Sequence, residues 1–198
     1  MTKKSSRQSM GQKYLSSIAI TYCQPRKIFM PARREQVLFL DYDGVLHPDA
    51  VYLSRQGPVL RAEGELFMWA PVLVKILEDF QEISLVLSTS WVRNLSFKRA
   101  MGFLPVDLGN RVTGATWHSS MARDWADENK WDGRTRYDQI SRYAARAQLA
   151  NWVALDDDPE GWEATAQHRL VACNPDLGLG DPQTQRLLIE ALQRMTSR

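Results

Sequence analysis

Three short apolar runs in the sequence each end directly in a residue that carries a reactive oxygen atom. These pairs are Val37–Leu40 with Asp41, Ile83–Leu87 with Ser88, and Trp152–Leu155 with Asp156. A run that is apolar at nearly every position is typical of a strand buried on both faces, as in a parallel sheet. Helical patterns between the runs imply right-handed βαβ connections. We therefore predict an α/β fold, a three-layer α/β/α sandwich with a central parallel sheet.

The remaining elements are marked by weaker signals. Pro71 opens a helical pattern, and Thr135 is a candidate cap for a helix that begins at Arg136. Residues 48–66 are broken by glycine and proline, which favours a loop or a small hairpin. The other predictions are a helix over about 93–103, a strand from Asn110 to Thr116, a loop over 117–135, a strand over Leu170–Ala172 and an amphipathic helix over 182–194.

The residues at the strand ends are suited to phosphoryl transfer. Ligands of open α/β sheets bind at the carboxyl ends of the strands, where Asp41, Asp43, Asp156 and Asp157 would converge. Four carboxylates repel one another unless a cation lies among them, and oxygen ligands favour Mg²⁺. Asp41 and Asp43 face the same side, so one can attack an electrophile and the other can give and take a proton. Arg136 is the candidate cation for the transferred phosphoryl group.

The stretch Asp41–Leu46, directly after an apolar strand, resembles the first motif of the haloacid dehalogenase (HAD) superfamily. In that superfamily the first Asp is the nucleophile and the second is the general acid/base. Ser88 resembles the second motif, which hydrogen-bonds the phosphoryl group, and Asp156 with Asp157 resembles the acidic fourth motif, where an Asp holds Mg²⁺. The resemblance covers about residues 35–175. It implies a Mg²⁺-dependent phosphatase that forms an aspartyl-phosphate.

What the resemblance implies can be assigned residue by residue. Asp41, Asp43, Ser88 and Arg136 would be catalytic, and Asp41, Asp43 (through its carbonyl), Asp156 and Asp157 would form the metal site. The third motif is generally Lys, although Arg occurs, and Arg136 lies on the helix before the fourth-motif strand. The rival candidates for the third motif are Lys130 and Arg134.

The reaction type and the cap follow from the same resemblance. Dehalogenating members lack the second Asp, so Asp43 favours phosphatase or phosphotransferase chemistry. Asp41 precedes Ser88 by 47 residues and Ser88 precedes Arg136 by 48, which leaves little room for a cap domain. An open site suits a large substrate, such as a phosphoprotein or a nucleic-acid end. His47-Pro48 and the Ser-Thr-Ser-Trp segment are similar to a small HAD branch with some members associated with RNA repair.

The N-terminal 34 residues differ in charge from the rest of the chain. They contain eight of the 25 basic residues and none of the 23 acidic ones, so residues 35–198 carry a net charge of −6. We predict a basic, disordered leader over 1–34 and a catalytic domain over 35–198. A targeting peptide and a nucleic-acid-binding arm are alternatives, and Met30 is an alternative start.

The composition also bears on the compartment. No apolar run reaches the 18 or more residues of a membrane span, which predicts a protein outside the membrane. Cys23 and Cys173 have no metal-type spacing and favour reduced thiols, hence a cytoplasmic protein. Two functional alternatives stay open beside the phosphatase. One is a catalytically weak HAD-like module that binds nucleic acid or a protein, and the other is a phosphotransferase.

Overall fold

The computed structural model of the chain describes residues 35–118 and 133–197. Its strands are β1 (Gln36–Leu40), β2 (Val51–Ser54), β3 (Gly57–Leu60), β4 (Ile83–Leu87), β5 (Val112–Ala115), β6 (Asn151–Asp156) and β7 (Leu170–Ala172). Five of these strands form a parallel sheet in the order β5-β4-β1-β6-β7, and β2 and β3 form a separate antiparallel hairpin. Three strands of the sheet, β1, β4 and β6, lie where the three apolar runs predict them.

The register of the central strands aligns their carboxyl ends. Leu40 at the end of β1 pairs with Leu87 of β4 on one side and with Leu155 of β6 on the other. Because the strands are parallel and in register, the residues that follow them emerge at one edge of the sheet. The sheet therefore brings the first, second and fourth predicted motifs to neighbouring positions.

The helices cover both faces of this sheet. They are α1 (Ala70–Leu77), α2 (Ser90–Leu95), α3 (Phe97–Met101), α4 (Val106–Gly109), α5 (Arg136–Arg146) and α6 (Pro182–Thr196). Leu38 and Leu40 point into a core with side chains of α1, α2 and α6, whereas Val37 and Phe39 pack with Ile140 of α5. The alternation of β1 side chains thus separates two cores. The predicted three-layer α/β/α sandwich is confirmed.

Several element boundaries differ from the sequence prediction. The helix expected over about 93–103 is divided into α2 and α3 at Ser96, which has a φ of +85°. A residue in this conformation does not continue an α-helix, so α2 ends before Ser96 and α3 begins after it. The loop predicted over 117–135 falls mostly on 119–132, outside the described residues.

The segment between β1 and β4 contains only small structures. The hairpin of β2 and β3 lies within residues 48–66, for which the sequence predicted a loop or small hairpin, and α1 follows it. Val51 packs against the main core, while Tyr52, Leu53 and Val59 are exposed. Among the residues described, no helix is both long and apolar enough to cross a membrane.

Candidate active site

Backbone hydrogen bonds extend the sheet by one residue at its carboxyl edge. The N–H of Asp41 donates to Leu155 O at 3.1 Å, and the N–H of Ser88 donates to Leu40 O at 2.8 Å. Cys173 N donates to Asp156 O at 2.9 Å. Each candidate residue is therefore held by the strand next to its own, which fixes the spacing of their side chains.

Asp41 is buried, with its carboxylate held from three sides. Its Oδ1 accepts a hydrogen bond from Tyr42 N at 2.7 Å, and its Oδ2 accepts one from Arg136 Nη2 at 2.8 Å. The Thr89 hydroxyl also hydrogen-bonds this carboxylate. Burial raises the pKa of Asp41, Arg136 opposes the rise, and the charge of Asp43 adds to it. These contacts orient the Asp41 carboxylate, whose ionised form is disfavoured by burial.

Arg136 stands at the first position of α5 and joins the first and fourth motifs. Thr135 caps this helix by accepting a hydrogen bond from Asp138 N at 3.3 Å. Arg136 Nε lies 3.1 Å from Asp156 Oδ2, close enough for an ion pair but not aligned for a hydrogen bond. Burial opposes the charged guanidinium, but Asp41 and then Asp156 outweigh this and raise its pKa.

The rival third-motif residues do not share this contact in the described part of the chain. Arg134 contributes its backbone carbonyl, which accepts a hydrogen bond from Gln139 Nε2 at 3.3 Å. Lys130 lies outside the described residues. Arg136 is thus the residue that the structure brings to Asp41.

Three carboxylates at the edge of the sheet have the geometry of a cation site. Oxygen atoms of Asp41, Asp156 and Asp157 lie within 4.8 Å of one another. Burial raises the pKa of all three, well above the usual value for Asp156 and to about 7 for Asp157, and the charge of Asp41 is the next cause for both. Arg136 balances one of the three charges. The buried Asp156 Oδ2 accepts no hydrogen bond from the described residues. This donor set fits a hard divalent cation such as Mg²⁺.

Gly44 allows the first and fourth motifs to approach each other. It has a φ of +65°, and a Cβ built on it would lie 2.4 Å from Asp157 Oδ2. Any side chain would thus collide with a carboxylate of the cation site, and the backbone conformation itself favours glycine. The turn after Asp41 therefore requires glycine at position 44.

The side chain of Asp43 is not one of the three grouped carboxylates. Its Oδ1 lies 3.1 Å from His47 Nε2, and its Oδ2 accepts a hydrogen bond from Trp91 Nε1 at 2.9 Å. The Asp43 side chain is 22% exposed, whereas His47 is fully buried. The Asp43 side chain therefore lies outside the cation site, and any metal contact of Asp43 would come from its backbone carbonyl.

Ser88 is buried at the end of β4. Its Oγ makes no hydrogen bond with any described residue, although its backbone is bonded to Leu40. A buried hydroxyl without a partner is uncommon, because its desolvation is then uncompensated. The side chain is therefore suited to donate a hydrogen bond to a ligand oxygen.

Residues beside the strand ends also take part in local structure. Asp158 forms a turn, with Glu160 N donating to its Oδ1 at 2.9 Å, and Ser90 is the first residue of α2. Trp91, Trp152 and Trp162 are buried in the cores.

The sequence analysis assigned no role to Thr89 or to Trp91. Both lie in the segment after Ser88, and Thr89 accepts a hydrogen bond from Trp91 N at 3.4 Å as the cap of α2. Thr89 was recognisable as a helix cap. Its bond to Asp41, and the contact of Trp91 with Asp43, follow only from the tertiary arrangement.

The arrangement as a whole places the carboxylates of Asp41 and Asp43, the Ser88 hydroxyl, the Arg136 guanidinium and a metal-type carboxylate set at the edge of a parallel sheet. This fold and site define a HAD-like hydrolase. The chain matches a family model over residues 37–184, and it belongs to that family, described as the HAD domain in Swiss Army Knife RNA repair proteins. No curated protein and no solved structure matches the chain.

Proposed function

We propose that this protein is a Mg²⁺-dependent phosphatase that acts through an aspartyl-phosphate on Asp41. The observation that carries the proposal is the contact of Asp41 Oδ2 with Arg136 Nη2 at 2.8 Å beside Asp156 and Asp157. If Asp41 had only a structural role, Asp156 and Asp157 would not be needed beside it, because like charges in a buried site destabilise the fold. The arrangement is useful if a divalent cation and an anionic substrate complete it.

Asp41, the carbonyl of Asp43, Asp156 and Asp157 would hold the Mg²⁺. The cation supplies charge neutralisation, both for the grouped carboxylates and for the substrate oxygens. The three side chains that would bind it carry one more negative charge than a divalent cation neutralises, and Arg136 accounts for the remainder.

In the first step, a carboxylate oxygen of Asp41 attacks phosphorus. The new bond between Asp41 and phosphorus forms while the bond from phosphorus to the leaving oxygen breaks. The leaving oxygen takes a proton from Asp43. Ser88 Oγ and Arg136 hold the phosphoryl oxygens, because the first has no described partner and the second carries a positive charge.

In the second step, Asp43 takes a proton from a water molecule that attacks phosphorus. The bond between phosphorus and Asp41 then breaks, which releases phosphate and restores the Asp41 carboxylate. Asp43 ends the cycle protonated and so is ready for another leaving group. A phosphotransferase would differ only in the acceptor of this step.

The substrate we propose is a phosphate at a nucleic-acid end, with RNA the first choice. The family description names RNA repair proteins. The segment between the first and second motifs contains the small hairpin β2–β3 and α1 in place of a cap domain, which leaves that side open to a large substrate. A phosphoprotein fits the same opening, so a phosphopeptide belongs in the substrate panel. Cytoplasmic location is part of the same proposal.

A hydrolysis assay tests the proposal directly. Purified full-length protein is given an aryl phosphate, a 5′- or 3′-phosphorylated oligoribonucleotide and a phosphopeptide, with Mg²⁺ or with EDTA. We expect Mg²⁺-dependent release of phosphate by the wild-type chain and none by Asp41→Asn, with unchanged circular dichroism. Turnover by Asp41→Asn contradicts the mechanism.

Deletion of residues 1–34 distinguishes between two hypotheses, a phosphatase and a nucleic-acid-binding module. If the leader only binds, the deletion weakens salt-dependent RNA binding and leaves hydrolysis of the aryl phosphate unchanged. RNA binding without hydrolysis of any substrate would favour the module. The Arg136–Asp41 contact favours the phosphatase, because a binding module does not need a cation at the nucleophile position.

A further inference from the structure

We infer that His47 and Trp91 are positioning residues that fix the Asp43 carboxylate for proton exchange with the leaving group. The inference rests on the proposed function, because it assigns a role within the same reaction. Its basis is a chain of hydrogen bonds that ends on both oxygens of Asp43. Neither His47 nor Trp91 contacts the grouped carboxylates in the described contacts, so each acts through Asp43.

The hydrogen bond from Phe67 determines the tautomer of His47. Phe67 N donates to His47 Nδ1 at 3.3 Å, so Nδ1 must be the unprotonated nitrogen. The proton of the neutral ring then lies on Nε2, which is 3.1 Å from Asp43 Oδ1. His47 therefore donates its Nε2 proton to Asp43, and the backbone N–H of Phe67 fixes this direction of the hydrogen bond.

The backbone of Phe67 is strained where it makes this bond. Its φ is +61°, a conformation that costs free energy for an aromatic residue with a Cβ. Residues in such conformations persist when the surrounding structure holds them, and they are found often at functional sites. Here the strained conformation presents the N–H group to His47.

An aromatic cluster locks the two donors in place. The His47 ring lies 4.9 Å from that of Phe67 and 5.7 Å from that of Trp91, measured between centroids. His47 is fully buried and Trp91 is 4% exposed, so neither ring can turn without repacking. The other members of the cluster are Tyr42 and Phe103.

Two donors on two oxygens define the plane of the Asp43 carboxylate. The Trp91 N–H approaches Oδ2 at 2.9 Å while His47 approaches Oδ1, and rotation of the carboxylate would break both bonds. Each oxygen retains a second lone pair for the proton that moves to the leaving group. The arrangement gives Asp43 one orientation at the partly exposed edge of the cluster.

Matched substitutions separate this role from simple packing. His47→Asn keeps an acceptor for Phe67 N but is too short to donate to Asp43, whereas the amide of His47→Gln reaches the position of Nε2. Trp91→Phe removes the indole donor and keeps an aromatic ring in the cluster. The first control variant is His168→Gln, which lies in the short 3₁₀ helix Gln167–Arg169 before β7. The second is Trp162→Phe, which removes a buried indole N–H on the opposite face of the sheet.

The experiment measures kcat and KM of the full-length chain with Mg²⁺ for aryl phosphates whose leaving phenols differ in acidity. For the least acidic phenol we expect His47→Asn and Trp91→Phe to lower kcat/KM, which reports the step that releases the phenol, by about tenfold. The loss should shrink as the phenol becomes more acidic, because a good leaving group needs less help from Asp43. His47→Gln should recover most of the loss, KM should hardly change, and neither control should respond.

Four outcomes overturn the inference. Equal loss of kcat/KM for all leaving groups would assign the two residues to packing, and so would equal kcat/KM for His47→Asn and His47→Gln. A ¹⁵N NMR spectrum of the wild-type chain with the His47 proton on Nδ1 would remove the hydrogen bond itself. No turnover of any ester by the wild-type chain defeats the proposed function, and a working wild type with unaffected variants defeats the inference alone.

Discussion

The guanidinium of Arg136 and the carboxylate of Asp41 form an ion pair, with Nη2 2.8 Å from Oδ2. Their side chains are 17% and 5% exposed, so solvent screens the pair little. Arg136 also faces Asp156, which makes it the cation shared by two buried acids. Removal of one partner from such a set leaves buried charge without compensation.

The first prediction concerns Arg136→Gln. In EDTA, we expect the free energy of unfolding to fall by on the order of 3 kcal/mol, because Asp41 and Asp156 lose their counter-charge. With Mg²⁺, kcat should fall by about 100-fold, since the phosphoryl group loses a charged donor. Urea unfolding and steady-state kinetics measure the two effects.

A control on the same helix separates charge from position. Arg142→Gln changes an exposed arginine of α5 and should alter neither stability nor kcat. Arg136→Lys keeps the charge but cannot place two nitrogens as the guanidinium does, so it should be intermediate. Full activity of Arg136→Gln would transfer the third-motif role to another basic residue.

The second prediction concerns the turn after Asp41. Gly44→Ala should destabilise the fold by about 1–2 kcal/mol through its left-handed backbone. It should also displace Asp157, because the added Cβ would meet Oδ2 of that residue at 2.4 Å. We therefore expect a smaller rise in Tm on addition of Mg²⁺, measured by thermal unfolding with and without the ion.

Gly57 provides the matched control for this substitution. It has a φ of +125°, and no atom lies within 4 Å of a Cβ built there. Gly57→Ala should thus lose stability while its response to Mg²⁺ stays that of the wild type. A normal Mg²⁺ response in Gly44→Ala would show that Asp157 does not depend on the close approach.

The third prediction is a pH dependence at the start of α6. Asp181 caps this helix by accepting hydrogen bonds from Gln183 N at 3.0 Å and Thr184 N at 3.1 Å. The Gln183 bond is the main cause that lowers the pKa of Asp181. The ionised form is favoured in the folded chain, so its stabilisation is present above the unfolded pKa of about 3.9 and is lost as pH falls through the lowered pKa.

Unfolding of Asp181→Ala across pH tests this assignment. The variant should be less stable than the wild type at pH 7, and the difference should disappear in acid as Asp181 becomes protonated. Asp181→Ser retains an acceptor for the cap without a charge, so its deficit at pH 7 should be smaller. An Ala deficit that is constant from pH 7 to pH 2 contradicts a charge-assisted cap.

The fourth prediction concerns Cys173, which follows β7. Its thiol is buried, and burial raises its pKa, with the charges of Asp156 and Asp157 adding to the rise. The reactive thiolate is therefore scarce at pH 8. In a Cys23→Ser chain, an aromatic disulfide reagent should modify the native protein at least about tenfold more slowly than the denatured protein. Equal rates would mean that the end of β7 is open to solvent.

The central sheet was predictable because parallel strands buried on both faces leave continuous apolar runs. Val37–Leu40 and Trp152–Leu155 each lie within a strand that is at most two residues longer. Strand β5 gave a weaker signal, since it has four half-buried or exposed residues at the edge of the sheet. Thr135 marked the start of α5 and so placed Arg136 in its first turn, but Arg134 stayed a rival until the structure showed the contact of Arg136 with Asp41.

The surroundings of Asp43 were not predictable from one sequence. Trp91 is 48 residues away along the chain, and its indole reaches Asp43 only because β1 and β4 are neighbours in the sheet. Phe67 is not a glycine, yet its backbone takes a left-handed conformation that the sequence did not indicate. Periodicity describes which face of an element is buried, whereas contacts of this kind depend on where the elements meet.

The hydrogen bonds that continue past the strand ends have a consequence for local fluctuations. Asp41 and Ser88 are tied to the central strands of the sheet, which open last in partial unfolding. Their amide hydrogens should exchange with solvent almost as slowly as those of β1, while those of the exposed hairpin exchange early. Asp41 and Ser88 should then keep their places during most local openings of the chain.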